Sequence, residues 1–367
     1  YAAAARHQTA YRVAARHQLS GGSAYADLEF LAGFIALRGL GDANTALTHF
    51  ARLQAAVRTP ISLSRALYWQ GRAQEAKGDK AAAKTAYAAA ARHQTAYYGQ
   101  LAAERLGMAL DPALLSDARP GDWRGAGFAR SSVLEAAILL VKAGDRSQGK
   151  RFFLQLAEGL DAPALDQLAD LALTLNEPHI AVLIAKQAAE RGIILPRAYF
   201  PVTTLVPDGL AVSRALALAI ARRESEFDPT AQSSAGARGL MQVMPGTAQL
   251  MAGKLGLPYE VGRLTSDPGY NATMGAGYLR QLVDEFGPSV ALVASGYNAG
   301  PGRPRRWIGE FGDPRDAQVD MVDWVETIPF NETRTYVMRV VESLVIYRAR
   351  LKGVAGPVRI SAELTGR

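Results

Sequence analysis

One glutamate in the second half of the chain occupies a position where a carboxyl group could donate a proton. Residues at intervals of four lead up to it and end on it: Val212, Leu216, Ile220 and Glu224. This spacing predicts a helix with Glu224 on its apolar face. Apolar neighbours raise the pKa of a carboxyl group, and the negative end of the helix dipole, expected near Phe227–Pro229, acts in the same direction. Glu224 is therefore a candidate general acid and base near neutral pH.

Two other carboxylates nearby are poorer candidates. Glu226 lies on a different face of the predicted helix, and Asp228 precedes a proline and is explained as a turn residue. A structural alternative for Glu224 is a buried ion pair with an arginine such as Arg238, because such pairs also perturb pKa values. The residues that follow Glu224 decide between the two roles.

The segment after the turn combines glycines with residues suited to a binding cleft. Gly236 and Gly239 let the backbone approach another group closely. Gln242 offers a donor and an acceptor that suit an acetamido or hydroxyl group. An apolar wall is predicted from Leu240, Met241 and Met244. Met244 and Pro245 also predict the start of the next helix.

Several separated blocks of the sequence resemble the soluble lytic transglycosylase family. They are Glu224-Ser225 with Phe227, Ser233, Gly236-Ala237, Gly239 to Gln242, Met244-Pro245, Leu264, Asp267-Pro268, Asn271, Gly275 to Leu279, Tyr297 to Gly302, Trp307, and Ile328 to Val337. The blocks follow the family order across residues 210–348. The resemblance implies an all-helical, lysozyme-like catalytic domain that follows a helical superhelix.

The resemblance also implies roles for single residues. Glu224 matches the catalytic glutamate, Ser233 the hydroxyl that hydrogen-bonds it, and Tyr336 the phenol that orients the glutamate or a sugar acetamido group. The predicted substrate-binding residues are Met241, Gln242, Met244, Tyr297, Asn298 and Glu332. Structural alternatives exist for three of these residues: Tyr336 could pack in the last helix, Asn298 could cap a helix, and Glu332 could pair with Arg334.

No convincing second carboxylate stands near Glu224, although ordinary glycosidases use two. The resemblance implies a peptidoglycan lytic transglycosylase, in which one glutamate cleaves the β-1,4 bond between MurNAc and GlcNAc and forms a 1,6-anhydro end on MurNAc. A lysozyme-type hydrolase of the same bond is the nearest alternative, and a non-catalytic glycan-binding scaffold is another. The expected partners are peptidoglycan strands and muropeptides.

The elements that position these residues are predicted to be helical throughout. A glycine-aspartate pair followed by an aromatic residue nine positions after the glycine occurs three times: Gly41-Asp42 with Phe50, Gly78-Asp79 with Tyr87, and Gly144-Asp145 with Phe153. Gly33 and Gly71 extend the match. The pattern predicts an α-solenoid of tetratricopeptide-like helix hairpins over residues 1–204. A cell-wall protein is a candidate partner of this solenoid. Prolines at 196, 201 and 207 mark its boundary with a catalytic domain over 205–367.

The eleven residues 1–11 recur unchanged at 87–97. Structural repeats normally diverge to a sparse pattern, so this copy carries no functional prediction. The sequence shows no signal peptide, and the superhelix is expected to be incomplete at its N-terminus because family superhelices are usually longer.

Composition excludes several other classes of protein. The chain has no cysteine and no histidine beyond residue 179, so no metal site or cofactor is expected in the second half. The net charge is +7, and residues 1–204 hold 23 basic against 17 acidic side chains without a compact basic block, which argues against nucleic-acid binding. No apolar run approaches the roughly 20 residues of a membrane-spanning helix. The peptidoglycan substrate that the resemblance implies predicts a location in the periplasm of a Gram-negative cell.

Overall fold

The computed structural model describes residues 6–367, and within that range helices are the only extended regular elements. Residues 1–5, which belong to the first copy of the exact repeat, lie outside the described residues. The chain forms two compact units. The first extends to Asp111 and includes Gly356–Val358; the second comprises Pro112–Ala355 and Arg359–Arg367.

The first unit is built from helix hairpins. Its helices are α1 (His7–Ala15), α2 (Gly22–Phe34, continued by a π-helical turn at Ile35–Gly39), α3 (Ala43–Ala56), α4 (Pro60–Ala76), α5 (Lys80–Ala90) and α6 (Tyr97–Arg105). The hairpins pack through a glycine under an aromatic ring. A side chain at Gly33 would place its Cβ 2.5 Å from Phe50, and one at Gly71 would place it 2.4 Å from Tyr87. Only glycine permits this contact between neighbouring helices.

The predicted glycine-aspartate turns are confirmed at all three places. The glycine has a left-handed φ, +68° at Gly41, and ends the preceding segment. The aspartate then caps the next helix, as Asp42 does by accepting from the Thr45 amide at 3.0 Å. The same cap recurs at Asp79 and Asp145, and the third turn lies in the second unit. The prediction of repeated helix hairpins is therefore confirmed.

The second unit begins with two further hairpins and continues into the segment that carries Glu224. Its helices are α7 (Ser132–Lys142), α8 (Arg146–Ala157), α9 (Ala162–Thr174), α10 (Pro178–Glu190), α11 (Pro196–Tyr199), α12 (Arg214–Glu224), α13 (Pro245–Leu255), α14 (Arg263–Ser266), α15 (Pro268–Phe286), α16 (Val290–Ala299), α17 (Gly302–Phe311), α18 (Met321–Thr327), α19 (Asn331–Lys352) and α20 (Ile360–Thr365). Short 3-10 turns lie at Pro112–Leu115, Trp123–Gly125 and Gly127–Arg130.

The boundary between the two compact units differs from the domain boundary predicted from composition. The compact units separate at residues 111 and 112, so α7–α11 share a unit with the helices that follow them. The division at residues 204 and 205 follows the end of the repeats and the prolines, and it remains a prediction. The proline-rich connector after α11 is non-helical up to Ser213, in agreement with its composition.

The long helix α19 is the centre of the segment that carries Glu224. Helices α12 and α16 pack against it, and α15 packs against α16. Large side chains fill the interior, among them Trp324, Tyr347 and Phe227. This arrangement brings the C-terminal end of α12 next to the first turns of α19. None of the described helices combines the length and hydrophobicity needed to cross a bilayer.

Candidate active site

Glu224 is the last residue of α12. The buried face of this helix includes Leu216 and Ile220, as the spacing predicted, whereas Val212 precedes the helix, which begins at Arg214. The predicted helix end near Phe227–Pro229 is wrong, because the helix stops at Glu224. Glu226 and Phe227 have left-handed φ values of +52° and +66°, so the chain leaves the helical path here. The ring of Phe227 is completely buried. Glu224 therefore stands at the negative end of the helix dipole, next to an irregular turn.

Tyr336 holds the carboxyl group of Glu224. Its hydroxyl donates to Glu224 Oε1 at 2.6 Å, and its ring is buried in α19. Burial raises the pKa of Glu224 to about 7, while the hydrogen bond from Tyr336 and the charge of Arg223 lower it and Glu332 raises it. A carboxyl group with this pKa is present in both protonation states at neutral pH, as a group that gives and then takes a proton requires.

The structural alternative for Glu224, a buried ion pair with Arg238, is not formed. The Nε atom of Arg238 is buried without a hydrogen-bond partner among the described residues, and Arg238 forms no ion pair with Glu224. The guanidinium nearest in sequence, Arg223, lies 5.7 Å from the centre of the Tyr336 ring. Desolvation, rather than an ion pair, is therefore the main cause of the shift in the pKa of Glu224.

The glycine-rich loop is tied to α12 and α15. Ser225 donates from Oγ to the Leu240 carbonyl at 2.6 Å, directly beside the catalytic candidate. Asn271, fully buried in α15, accepts from the Met241 amide at 2.8 Å and donates to the carbonyls of Arg238 and Leu264. The loop is therefore held by side chains on both sides, with all of these polar groups satisfied.

Met241 contributes to the site through its backbone. Its side chain is fully buried against Gly275, where an added Cβ would lie 2.8 Å from the Met241 sulfur. Its carbonyl accepts a hydrogen bond from the Tyr297 hydroxyl at 2.8 Å. The ring of Tyr297 packs on Tyr278 with 5.5 Å between centroids. The carboxylate of Glu224 lies close enough to contribute to the raised pKa of Tyr297, after the larger effect of burial.

Gln242 and Ser233 make contacts within the loop. Gln242 has a left-handed φ of +48°, and its Nε2 donates to the carbonyls of Ala231 and Gly239 at 3.0 and 2.9 Å. Ser233 is exposed, and its Oγ accepts from the Ala237 amide at 3.0 Å. The structure does not join Ser233 to Glu224 by a hydrogen bond. In this state both side chains shape the loop, and their predicted roles toward catalysis and substrate remain predictions.

A second polar group lies at the junction of α16 and α19. Thr333 donates to Asn298 Oδ1 at 2.6 Å, and Asn298 Nδ2 donates to Glu332 Oε1 at 3.3 Å. Glu332 is exposed and is not paired with Arg334, whose guanidinium binds backbone carbonyls and Asn331. The Glu332 carboxylate therefore faces solvent beside Glu224. Met244 directly precedes α13, and 43% of its surface is exposed, so it offers apolar surface to a ligand.

The two carboxylates that follow Glu224 in the sequence are engaged elsewhere. Glu226 forms an ion pair with Lys186, and Asp228 accepts from the Thr230 amide at 2.9 Å. Glu332, which the resemblance suggested as a substrate contact, is the carboxylate whose charge raises the pKa of Glu224. Within residues 6–367 no group of three or more histidine or carboxylate side chains is arranged to hold a metal ion.

Sequence reasoning missed the supporting roles of four residues. Ser225 and Asn271 lie in the quoted blocks, but their residue types do not reveal which carbonyls they bind. Thr333 orients Asn298 from another helix, and Arg223 places a positive charge beside Glu224. A polar residue at a position expected to be buried, as Asn271 is, was the one available signal.

The fold and site define a helical domain built around one acid and base candidate, Glu224. Residues 208–319 match the family model described as the transglycosylase SLT domain, so the segment that carries Glu224, the glycine-rich loop and Tyr297 is such a domain. Tyr336 and Glu332 lie beyond the matched residues.

The chain is similar to soluble lytic murein transglycosylases. It is 39% identical over 154 residues to the soluble lytic murein transglycosylase of Salmonella typhimurium. This match covers 42% of this chain and 23% of that protein. It superposes on the 70-kDa soluble lytic transglycosylase of Escherichia coli with a TM-score of 0.73 and 27% identity, over 95% of this chain and 54% of that one. An inactive mutant of lytic transglycosylase Slt from Pseudomonas aeruginosa gives a TM-score of 0.70 and 30% identity, over 91% and 53% of the two chains.

This chain thus spans about half of the solved structures and matches less than a quarter of the curated relative. The structural neighbours consist of a helical superhelix and a lysozyme-like domain, which confirms the predicted all-α fold class. The family resemblance is confirmed as well.

Proposed function

We propose that this chain is a peptidoglycan lytic transglycosylase in which Glu224 is the single acid and base. The observation that carries the proposal is the half-buried Glu224, whose pKa is raised by burial to about 7 and whose carboxyl group is held by Tyr336. The substrate is the β-1,4 bond between MurNAc and GlcNAc. The names of the relatives, which are murein transglycosylases, support this choice of substrate.

In the first step, protonated Glu224 donates its proton to the glycosidic oxygen, and the bond between that oxygen and C1 of MurNAc breaks. The N-acetyl carbonyl of the same sugar stabilises the cation from the opposite face. Tyr336 donates a hydrogen bond to Glu224 Oε1, so it fixes the carboxyl group and stabilises the anion that forms.

In the second step, ionised Glu224 removes the proton from the 6-hydroxyl of MurNAc. The freed oxygen attacks C1 and closes a 1,6-anhydro ring, and Glu224 is protonated again. No water is consumed. The positions of Glu226 and Asp228 support a mechanism without a second protein carboxylate, since both are bound elsewhere. Met244 and the group formed by Asn298, Glu332 and Thr333 are proposed to contact the glycan or its peptide stem.

The exposed Glu332 carboxylate favours one second candidate, a lysozyme-type hydrolase in which this residue activates water. Mass spectrometry of muropeptides released from purified peptidoglycan separates the two. We expect products that are lighter by one water molecule than the corresponding hydrolysis products. They should also resist reduction by borohydride, which reduces free reducing ends only. A digest by a conventional lysozyme is the control. Reducible products from this chain would favour the hydrolase.

Two substitutions are expected to move the pH dependence in opposite directions. Arg223→Gln removes a charge that lowers the pKa of Glu224, and Glu332→Gln removes one that raises it. Because the reaction begins from protonated Glu224, kcat/KM declines as pH rises through this pKa. The decline should occur at higher pH in R223Q and at lower pH in E332Q than in the wild type.

The measurement is the pH profile of kcat/KM for muropeptide release. Arg280→Gln is the matched control, since Arg280 pairs with Asp284 on the exposed surface of α15. Its profile should coincide with that of the wild type. Shifts of R223Q and E332Q in the same direction would contradict the assignment of the alkaline limb to Glu224.

The proposed substrate also indicates the compartment and partners. Peptidoglycan strands and muropeptides are the expected ligands, and the periplasm of a Gram-negative cell is the proposed location. A cell-wall protein bound by the helix hairpins remains a prediction.

A further inference from the structure

The turn that follows Glu224 has an unusual backbone. Glu226 and Phe227 both have left-handed φ values, +52° and +66°, although neither is glycine. Residues other than glycine, asparagine and aspartate rarely adopt this conformation, and such positions persist only when their surroundings hold them. Only Ser225 separates Glu224 from this turn.

Helix α10 holds the turn from one side. His179 Nδ1 lies 3.1 Å from the Glu226 carbonyl oxygen, and Lys186 forms an ion pair with the Glu226 carboxylate. The two side chains are seven positions apart, which places them on the same face of α10. One helix therefore binds both the backbone and the side chain of Glu226.

The partners of His179 define its protonation. The Glu226 carbonyl can only accept, so Nδ1 carries the proton and donates. The Lys150 ammonium can only donate, and it lies 3.4 Å from Nε2, which accepts. Burial lowers the pKa of His179 and favours this neutral form, and Asp228 and Glu226 oppose the shift less strongly. The imidazole is thus a directional donor aimed at the turn.

The other side of the turn is held by the glycine-rich loop. Ser225 donates from Oγ to the Leu240 carbonyl at 2.6 Å, and the side chain of Phe227 is fully buried. Phe227 and Ser225 can keep the turn packed, and among residues 6–367 the hydrogen bond and the ion pair to Glu226 both come from α10. Loss of the α10 contacts would release the residue with the first left-handed φ.

We propose that Lys186 of α10 is a positioning residue for catalysis, and that Glu226, whose carbonyl also accepts from His179, is its receptor next to the catalytic Glu224. The helix hairpin α9–α10 then acts as a part of the catalytic apparatus. This inference rests on the proposed function, because it is measured through cleavage of peptidoglycan. It also gives Glu226 a role distinct from that of a second catalyst.

The test uses the full chain and two single variants, Lys186→Met and Glu226→Gln. Each should lower kcat about tenfold, because small displacements of a catalytic group reduce the rate strongly. KM should stay within about twofold, since no proposed substrate contact changes. The Tm should stay within about 3 °C, because Lys186 is 47% exposed and surface ion pairs contribute little stability.

Rescue and control variants distinguish positioning from general damage. The double variant Lys186→Glu with Glu226→Lys should recover most of kcat, and Lys186→Arg should retain it. Lys142→Met makes the same chemical change on an exposed lysine of α7 and should have no effect.

An unchanged kcat in K186M and E226Q, with an active wild type, would overturn this inference alone. A reversed pair that fails to recover, or a loss shared by K142M, would overturn it as well. An inactive wild type would instead contradict the proposed function itself.

Discussion

Replacing Glu224 by glutamine is expected to lower the rate of peptidoglycan cleavage by about 10³-fold or more, since one group serves as both acid and base. Glutamine keeps the size of the side chain and accepts a hydrogen bond from Tyr336, but it cannot give or take the proton. The measurement is the release of muropeptides at saturating substrate. Glu310→Gln is the matched control, because Glu310 is exposed and forms an ion pair with Arg306 on the surface of α17. Activity near that of the wild type in E224Q would refute the catalytic assignment.

The same substitution is expected to lower activity without lowering stability. The pKa of Glu224 is about 7 in the folded protein and near 4.5 in the unfolded chain, so ionised Glu224 destabilises the fold. This cost is absent below pH 4.5 and grows as pH rises towards 7, where it approaches at most ~3 kcal/mol. We therefore expect E224Q to equal or exceed the wild type in free energy of unfolding at pH 8. Denaturant titrations of both proteins at pH 4 and pH 8 measure the difference.

Gly239→Ala is the second substitution with a large expected effect. A Cβ at this position would lie 1.8 Å from the Leu264 carbonyl oxygen and 2.5 Å from Asn271 Nδ2, and φ is +73°. The backbone atom cannot move without disturbing the hydrogen bonds of Asn271 to the loop. We expect the free energy of unfolding to fall by about 2–5 kcal/mol, with most of the activity lost.

Gly236→Ala is the matched control for this effect. Gly236 lies in the same loop with φ +91°, but an added Cβ would meet no atom within 4 Å. It therefore shares the backbone strain and lacks the collision. Urea denaturation of the two variants separates the two contributions. If both lost the same stability, close packing against Leu264 would not explain why residue 239 is glycine.

Short segments illustrate the limits of prediction from local sequence. The pentapeptide HQTAY occurs at residues 7–11, within α1, and at residues 93–97, where the chain turns and α6 begins only at Tyr97. At the second copy, Gln94 binds the Ala109 carbonyl and the Asp111 amide through its side chain. Contacts distant in sequence therefore select the turn, although the intrinsic propensities of the two copies are identical.

The repeats and the helix that carries Glu224 were predictable because their signals are periodic and local. Glycine at a left-handed turn and aspartate at the next helix start are properties of adjacent residues, as at Gly41 and Asp42. The helix end was less predictable. A left-handed Glu226 has no signature in its residue type, since its conformation depends on α10 and the burial of Phe227.

The sequence by itself determined an all-helical protein, a carboxyl group on an apolar helix face, and a glycine-rich loop after it. These follow from helical periodicity and from the conformational freedom of glycine. Only the tertiary structure decided which groups act on Glu224. Tyr336 is 112 residues away in sequence, Glu332 and Arg223 act through space, and Lys186 engages Glu226. Hydrogen bonds and charge interactions depend on distances in the folded chain, and those distances exist only after the helices have packed.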